Sequence, residues 1–298
     1  MKDFVIISDG ACDLFDYEVE ELGVRVIPFY IAFEEGKYLK ESIEIEVGEF
    51  YQKLVDNPNV FPKTSMPTAD DYYKEFEKAY NDGLDVICIT ITKKFSGSLN
   101  SALTAKKLFI DEHPDARIEV IDSTVLSLLQ GLLVREVVRM KRDGLSFDEV
   151  VINANKLIES GRIFFTVDGL SYLQHGGRIG KVAAIVGNFL KVNPLIVHKD
   201  GEIHSEGIAI TRKRAAMKVL DKFKNVFEKH HLNMDDYLIQ VGYGYSKEEG
   251  EEFAKKFEAT FNKKVELIGR IGATISVHTG PYPLGVAFIR RYDADKAS

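Results

Sequence analysis

A chain of 298 residues, 45% apolar and 29% charged, has material for one large domain or two ordinary ones, two being the better reading, and is far from a disordered composition. Its 46 acidic and 39 basic residues, net charge -7, are spread along the whole length, which argues against a general nucleic-acid surface. The two cysteines, Cys12 and Cys88, lack metal-ligand spacing and read as buried reduced thiols, and no run reaches the ~18 apolar residues that a membrane helix needs.

Asp3 and Asp9 bracket too few apolar residues for a signal peptide, so a cytoplasmic protein is expected. Phe4 to Ser8 reads as a strand ending in the polar turn Asp9-Gly10-Ala11-Cys12-Asp13-Leu14, at the sheet edge where open α/β proteins collect ligands. Val24 to Ala32 reads as a second strand, and Phe50 to Val55 as part of a helix. Pro62 to Thr68 reads as a loop: Pro67 keeps Met66 extended, and Thr68 is placed to cap a helix carrying Tyr72, Tyr73, Phe76 and Tyr80.

Asp85 to Ala102 is the stretch around which the rest is organised. Val86 to Ile91 is an apolar, β-branched run suited to a strand buried on both faces. The elbow Ser96-Gly97-Ser98 then opens a helix in which Ala102, Ala105, Leu108 and Phe109 recur at helical spacing. Ser96 or Ser98 would cap that helix, and Gly97 would let the backbone approach a ligand. The N–H groups of such a helix end suit a carboxylate or phosphate, although an ordinary cap is the plainer reading of this stretch alone.

Arg117 to Ile121 reads as a strand, followed by a helix with Leu126, Leu129, Leu133, Val137 and Met140 on one face, and Ser146 opens another with a capping-box pattern. Such alternation predicts an α/β fold whose first domain, residues 1–160, is a mostly parallel doubly wound sheet. From Gly161 the texture changes. Arg162 to Val167 is a strand, Pro194 to His198 and Glu202 to Ile210 form a hairpin across Lys199-Asp200-Gly201, and a helix follows from about Arg212 to Glu228. Strand Tyr237 to Tyr243, helix Lys247 to Phe261, and strands at Val265 to Ile268 and Leu284 to Arg290 complete an α+β second domain, residues 161–298.

His278 stands between an apolar strand-like run and the turn Gly280-Pro281, and reads equally as a structural or a functional histidine. The other six histidines form no metal-like cluster and are expected mostly in solvent; neither a Walker loop nor a dinucleotide fingerprint is present. Arg212-Lys213-Arg214, with Lys218 one turn on, reads as a solvated face or as a local basic patch.

Seven segments in order carry a resemblance: Ser8 to Leu14, Lys63 to Thr68, Phe95 to Ser98, Val120 to Ser123, Gly177-Arg178-Ile179, Ala209 to Ala215, and His278 to Pro281. Together they are similar to the DegV family, bacterial fatty-acid-binding proteins that include carrier subunits of fatty acid kinase. The resemblance implies a ligand between the domains: one long-chain fatty acid, its tail in an apolar tunnel of the second domain, with no other cofactor. It puts the carboxylate on Thr64, Ser96 and Gly97, with His278 and Arg178 close by and Ser65, Ser98 and Thr279 around them. It further implies that a separate ATP-binding kinase subunit docks on Arg212, Lys213 and Arg214, and that the acyl phosphate is carried on to phospholipid synthesis. The chain departs from the family pattern at Gly10, Ala11 and Cys12, at Met66 in place of Gln, and at Tyr282 in place of Gly. The competing reading makes Ser96 a nucleophile and His278 its base in an acyl hydrolase or transferase, without the Gly-x-Ser-x-Gly elbow such enzymes use.

Overall fold

Alternating strands and helices build the first half, and the chain order matches that reading closely. The computed structural model describes residues 3–185 and 192–296. Strand β1 (Phe4–Asp9) is buried at every position and leads through a tight turn to helix α1 (Asp16–Leu22). Strand β2 (Arg25–Ile27) pairs with it in parallel. The single strand expected from Val24 to Ala32 breaks at Pro28, which lacks the N–H that a ladder needs. Beyond the break, β3 (Tyr30–Ala32) joins β4 (Leu39–Lys40) and β5 (Lys63–Ser65) in a small antiparallel sheet, with Ile31 opposite Thr64. Thr64 therefore sits on a ladder, where a loop was expected. Helix α2 (Val47–Asp56) covers this sheet with Phe50 and Leu54.

Thr68 caps α3 (Ala69–Asn81) as expected: its hydroxyl accepts the Asp71 amide at 3.2 Å while Asp71 Oδ2 accepts the Thr68 amide at 2.8 Å. Then come β6 (Asp85–Thr90), α4 (Ser98–Glu112), β7 (Ile118–Asp122), α5 (Ser127–Arg142) and α6 (Phe147–Ile158). The four strands lie parallel in the order β2-β1-β6-β7. Strand alternation sends Val5 and Ile7 to the face covered by α3 and α4, and Phe4 and Ile6 to the face covered by α5 and α6. Cys12 and Cys88 are both free and buried, and burial pushes the Cys12 thiol up to about 12.

The second half begins with β8 (Arg162–Thr166) and the short α7 (Ser171–His175). The expected hairpin follows as β9 (Asn193–Lys199) and β10 (Glu202–Ala209); Asp200 and Gly201 take positive φ, 54° and 78°, as a two-residue turn requires. After α8 (Arg212–Lys229) come β11 (Tyr237–Tyr243), α9 (Lys247–Phe261), β12 (Leu267–Arg270), α10 (Ala273–Thr279) and β13 (Leu284–Arg290). The sheet order is β10-β9-β8-β13-β11-β12, antiparallel except where β11 meets β12. The result is an α/β chain in two parts, a mostly parallel doubly wound sheet and an α+β region.

One face of the second sheet packs on α8 and α9 through Phe223, Phe227 and Phe257. The other turns Phe165, Ile196 and Ile203 into the same cluster as α5. That explains a departure in α5, expected to bury one face: Leu128, Leu132, Val134 and Val138 are buried as well, because a sheet lies on each side of it.

Two further expectations change. The apolar run Ile275 to Val277 ahead of His278, read as strand-like, belongs to helix α10. Long-range capping overrides the local preference there: Glu41 Oε1 accepts the Ala273 and Thr274 amides at 2.5 and 3.2 Å. His198, expected in solvent with most of the other histidines, is wholly buried on β9. Among the described residues no helix is long and apolar enough to cross a membrane.

Candidate functional site

The site lies where strand ends from both halves meet. The stretch after β6 contributes Ile91, Phe95, Ser96 and Gly97 to a cavity of about 270 Å³. β5 contributes Thr64 and Ser65, α10 contributes His278 and Thr279, and the loop after α7 contributes Arg178. Seven of the eight headgroup residues expected from the sequence thus share one lining. The eighth, Ser98, does not.

The polar groups are linked to one another. Thr64 Oγ1 lies 3.1 Å from His278 Nε2 across a sequence separation of 214 residues. The His278 ring rests on Gly176, where an added Cβ would stand 2.1 Å from Nδ1, so no side chain fits there. Arg178 donates from Nη1 to the Gly176 carbonyl at 2.7 Å and from Nε to the Phe95 carbonyl at 3.2 Å. One guanidinium thereby ties the elbow of the first half to the glycine-rich loop of the second.

Burial lowers the His278 imidazole to about 4, with the Arg178 charge adding to the effect. The ring is therefore neutral near pH 7 and engages Thr64 in that form. The positive charge of the site resides on Arg178, which forms no ion pair among the described residues. An entering carboxylate would meet one cation and several neutral donors, which avoids burying it unpaired.

The elbow differs from the expected serine cap. Gly97 is the N-cap residue of α4 and Ser96 Oγ accepts the Ser98 amide at 3.2 Å. Ser98 points away from the cavity: its hydroxyl donates to Asp9 Oδ2 at 2.7 Å and lies 2.6 Å from Tyr72 OH. Asp9 is wholly buried, and also accepts the Ile91 amide at 2.9 Å and Gln130 Nε2 at 2.9 Å. Burial raises its carboxyl group and these hydrogen bonds oppose the rise. The last residue of β1 thus anchors Ile91 and Ser98, on either side of Ser96 and Gly97.

The apolar wall was not read from the sequence. Phe29, Leu126, Phe165, Leu173, Ile203 and Ile275 line it, and they come from six different segments. Their available signal was position, since several flank the ends of strands. The basic cluster at the start of α8 is not part of this lining. Arg212 is engaged bidentately by Glu249, at 2.7 and 2.9 Å, while Lys213 and Arg214 are exposed.

A family model described as an uncharacterised protein of the DegV family matches residues 3–291. The chain belongs to the DegV family. A DegV domain-containing protein of Clostridium perfringens is 31% identical over 295 residues, covering 97% of this chain and 98% of that one. Among solved structures, a stearic acid-binding protein from Eubacterium ventriosum is 43% identical, with a TM-score of 0.94 over 97% of this chain and 99% of that one. A fatty-acid-binding DegV protein from Thermus thermophilus is 28% identical, with a TM-score of 0.83 over 97% and 100% of the two chains.

The DegV departures fall in different places. Met66 lines the cavity and lies against the elbow: a Cβ at Gly97 would stand 2.6 Å from its sulfur. Tyr282 lines a separate surface cleft with Arg212 and Glu249. Among the described residues of this DegV chain no group of three or more His, Cys, Asp or Glu could hold a metal ion.

Proposed function

We propose that this protein binds one long-chain fatty acid, with its carboxylate at Thr64, Ser96, Gly97, Arg178 and His278 and its tail along the apolar wall. Ser65 and Thr279 border the same headgroup. The observation that carries this reading is one cavity in which a guanidinium without an ion pair among the described residues, a Thr–His pair and several hydroxyls adjoin a wall of apolar side chains. The stearic acid-binding relative, alike over nearly its full length, supports the ligand class. Burying roughly 14 methylenes at about 0.8 kcal/mol each offers on the order of 11 kcal/mol before the costs of association. Headgroup contacts then set orientation more than affinity.

The carrier role belongs to the same proposal: the protein presents the carboxylate to a separate ATP-dependent kinase subunit in the cytoplasm and retains the acyl phosphate for phospholipid synthesis. Lys213 and Arg214, exposed on an acidic chain, are the side chains suited to steering that partner; Arg212 serves through its pair with Glu249. The division into residues 1–160 and 161–298 fits this role, since the headgroup residues come from both parts. The hydrolase alternative has less support. His278 Nε2 is engaged by Thr64, Nδ1 has no partner to orient it, and the hydrogen bond of Ser96 Oγ is with a backbone amide.

Native mass spectrometry of the purified protein tests the reading. A long-chain fatty acid at about one per chain is expected. A protein that stays empty when offered oleate or stearate, yet hydrolyses acyl esters, reverses the ranking.

A further inference from the structure

The polar turn after β1 points to a second site that the fatty-acid reading does not use. A separate cavity of about 330 Å³ opens between that turn and the N-terminal ends of α2 and α10. Its polar lining includes Asp13, Glu41 and Arg270, and its walls are apolar, among them Leu14, Phe15 and Val26. It lies at the carboxyl edge of a parallel sheet, where such folds hold small ligands.

The charged groups differ in how they are occupied. Glu41 is fully engaged: Oε1 accepts the Ala273 and Thr274 amides, and Oε2 accepts the Thr274 hydroxyl. It caps α10. Asp13 is 7% exposed, and its Oδ2 accepts Ser127 Oγ at 2.5 Å. Its Oδ1 lies beside Gly272, whose backbone N–H approaches it and opposes the rise of the carboxyl without closing a full hydrogen bond. The two carboxylates crowd Gly272, where an added Cβ would stand 2.7 Å from Asp13 Oδ1 and 2.9 Å from Glu41 Oε1. Burial, with Glu41 nearby, raises the Asp13 carboxyl well above its usual range, and an ammonium at Oδ1 would oppose that rise by favouring the charged form. A buried acid oxygen whose one backbone neighbour closes no full hydrogen bond is the kind of group that an ammonium satisfies.

Arg270 supplies the opposite charge. Among the described residues it forms no ion pair, and its Nε has no hydrogen-bond partner. Its guanidinium lies 5.9 Å from the ring centres of both Tyr51 and Tyr243. Nη1 approaches the first turn of α2 at Gly48, where a Cβ would stand 3.7 Å away. The N-cap residue there, Glu46, makes no side-chain capping bond. A guanidinium beside uncapped helix N–H groups suits an anionic group.

Asp13 and Arg270 therefore line one cavity without pairing with each other. A simple cation would face Arg270; a simple anion would face Asp13, Asp16, Glu41 and Glu46. A molecule carrying both signs satisfies both. We propose that this cavity binds a small zwitterion, its ammonium on Asp13 Oδ1, its anionic group at Arg270 and the start of α2, and its apolar body against Leu14, Phe15 and Val26. A free α-amino acid with an apolar side chain has this chemistry; so does the phosphoethanolamine headgroup of a lipid.

Isothermal titration of the full chain with L-leucine and, separately, with glycerophosphoethanolamine tests the assignment. At least one probe is expected to saturate a single site, and the one that does identifies the source. Asp13→Asn and Arg270→Gln should each weaken that probe by about tenfold or more, while fatty-acid content is unchanged. Arg270 is only part-buried and unpaired, so Arg270→Gln keeps the test intact if Asp13→Asn fails to fold. Binding of neither probe overturns the proposal, as does binding that is unaltered in Arg270→Gln. Binding of n-butylamine as tight as that of the saturating probe overturns it too, since only the zwitterion uses Arg270. The fatty-acid assignment stands or falls separately.

Discussion

Acidification should destabilise the empty protein through His278. In the folded chain the imidazole is lowered to about 4 from 6.5 by burial and by Arg178. Between those values the unfolded chain binds a proton that the folded chain does not, so stability falls as pH falls from about 6.5 toward 4. At pH 5 the loss relative to pH 7.5 is about 2 kcal/mol, given 1.36 kcal/mol for each pH unit inside the window. His198, lowered to about 3, acts in the same direction, while the raised carboxyls of Asp9, Asp13 and Glu41 act in the opposite one. A comparison with His278→Gln removes those common contributions. Urea unfolding of both delipidated proteins at pH 7.5 and pH 5.0 should show the wild type losing about 2 kcal/mol more than the variant. Identical pH dependence would refute the neutral, buried assignment of His278. Loading with fatty acid should shrink the difference, because a carboxylate beside the ring favours its protonated form.

Gly176→Ala should displace His278, since the new Cβ would fall 2.1 Å from Nδ1; a fall in fatty-acid retention with native circular dichroism is expected, and unchanged retention would show that the ring position is immaterial. Thr64→Ala and Ser96→Ala should each weaken oleate binding by roughly tenfold, read by titration of delipidated protein, as expected for loss of one hydrogen bond to a charged group. Charge reversal at Lys213 and Arg214 should slow phosphorylation of bound fatty acid by a kinase subunit and leave thermal stability in place. Arg212→Glu, by contrast, breaks the bidentate Glu249 pair and should cost about 1 kcal/mol in urea unfolding; equal stability would return Arg212 to the docking surface.

Regular alternation of buried strands with amphipathic helices made the doubly wound first half and the hairpin of the second legible, because both patterns are local. What escaped depends on partners distant in sequence. The run Ile275 to Val277 reads as strand-like, and becomes part of helix α10 because Glu41, more than two hundred residues earlier, caps it. Ser98 reads as a cap or headgroup contact, yet Asp9 turns it inward across 89 residues. Nothing near Arg212 predicts Glu249, and nothing near His198 predicts that hairpin packing buries it. The headgroup set, Thr64, Ser96, Gly97, Arg178 and His278, came from a resemblance carried by ordered segments. The apolar wall had no such signal, for six segments contribute scattered residues to it.

Carboxyl-13C-labelled palmitate bound to the delipidated protein reports most directly on where the acid group resides. Beside the Arg178 guanidinium the label should stay ionised well below the usual carboxylate range, and its signal should move in Thr64→Ala and His278→Gln. A bound label that titrates as it does in water, with a signal indifferent to both substitutions, would contradict a carboxylate held at this site.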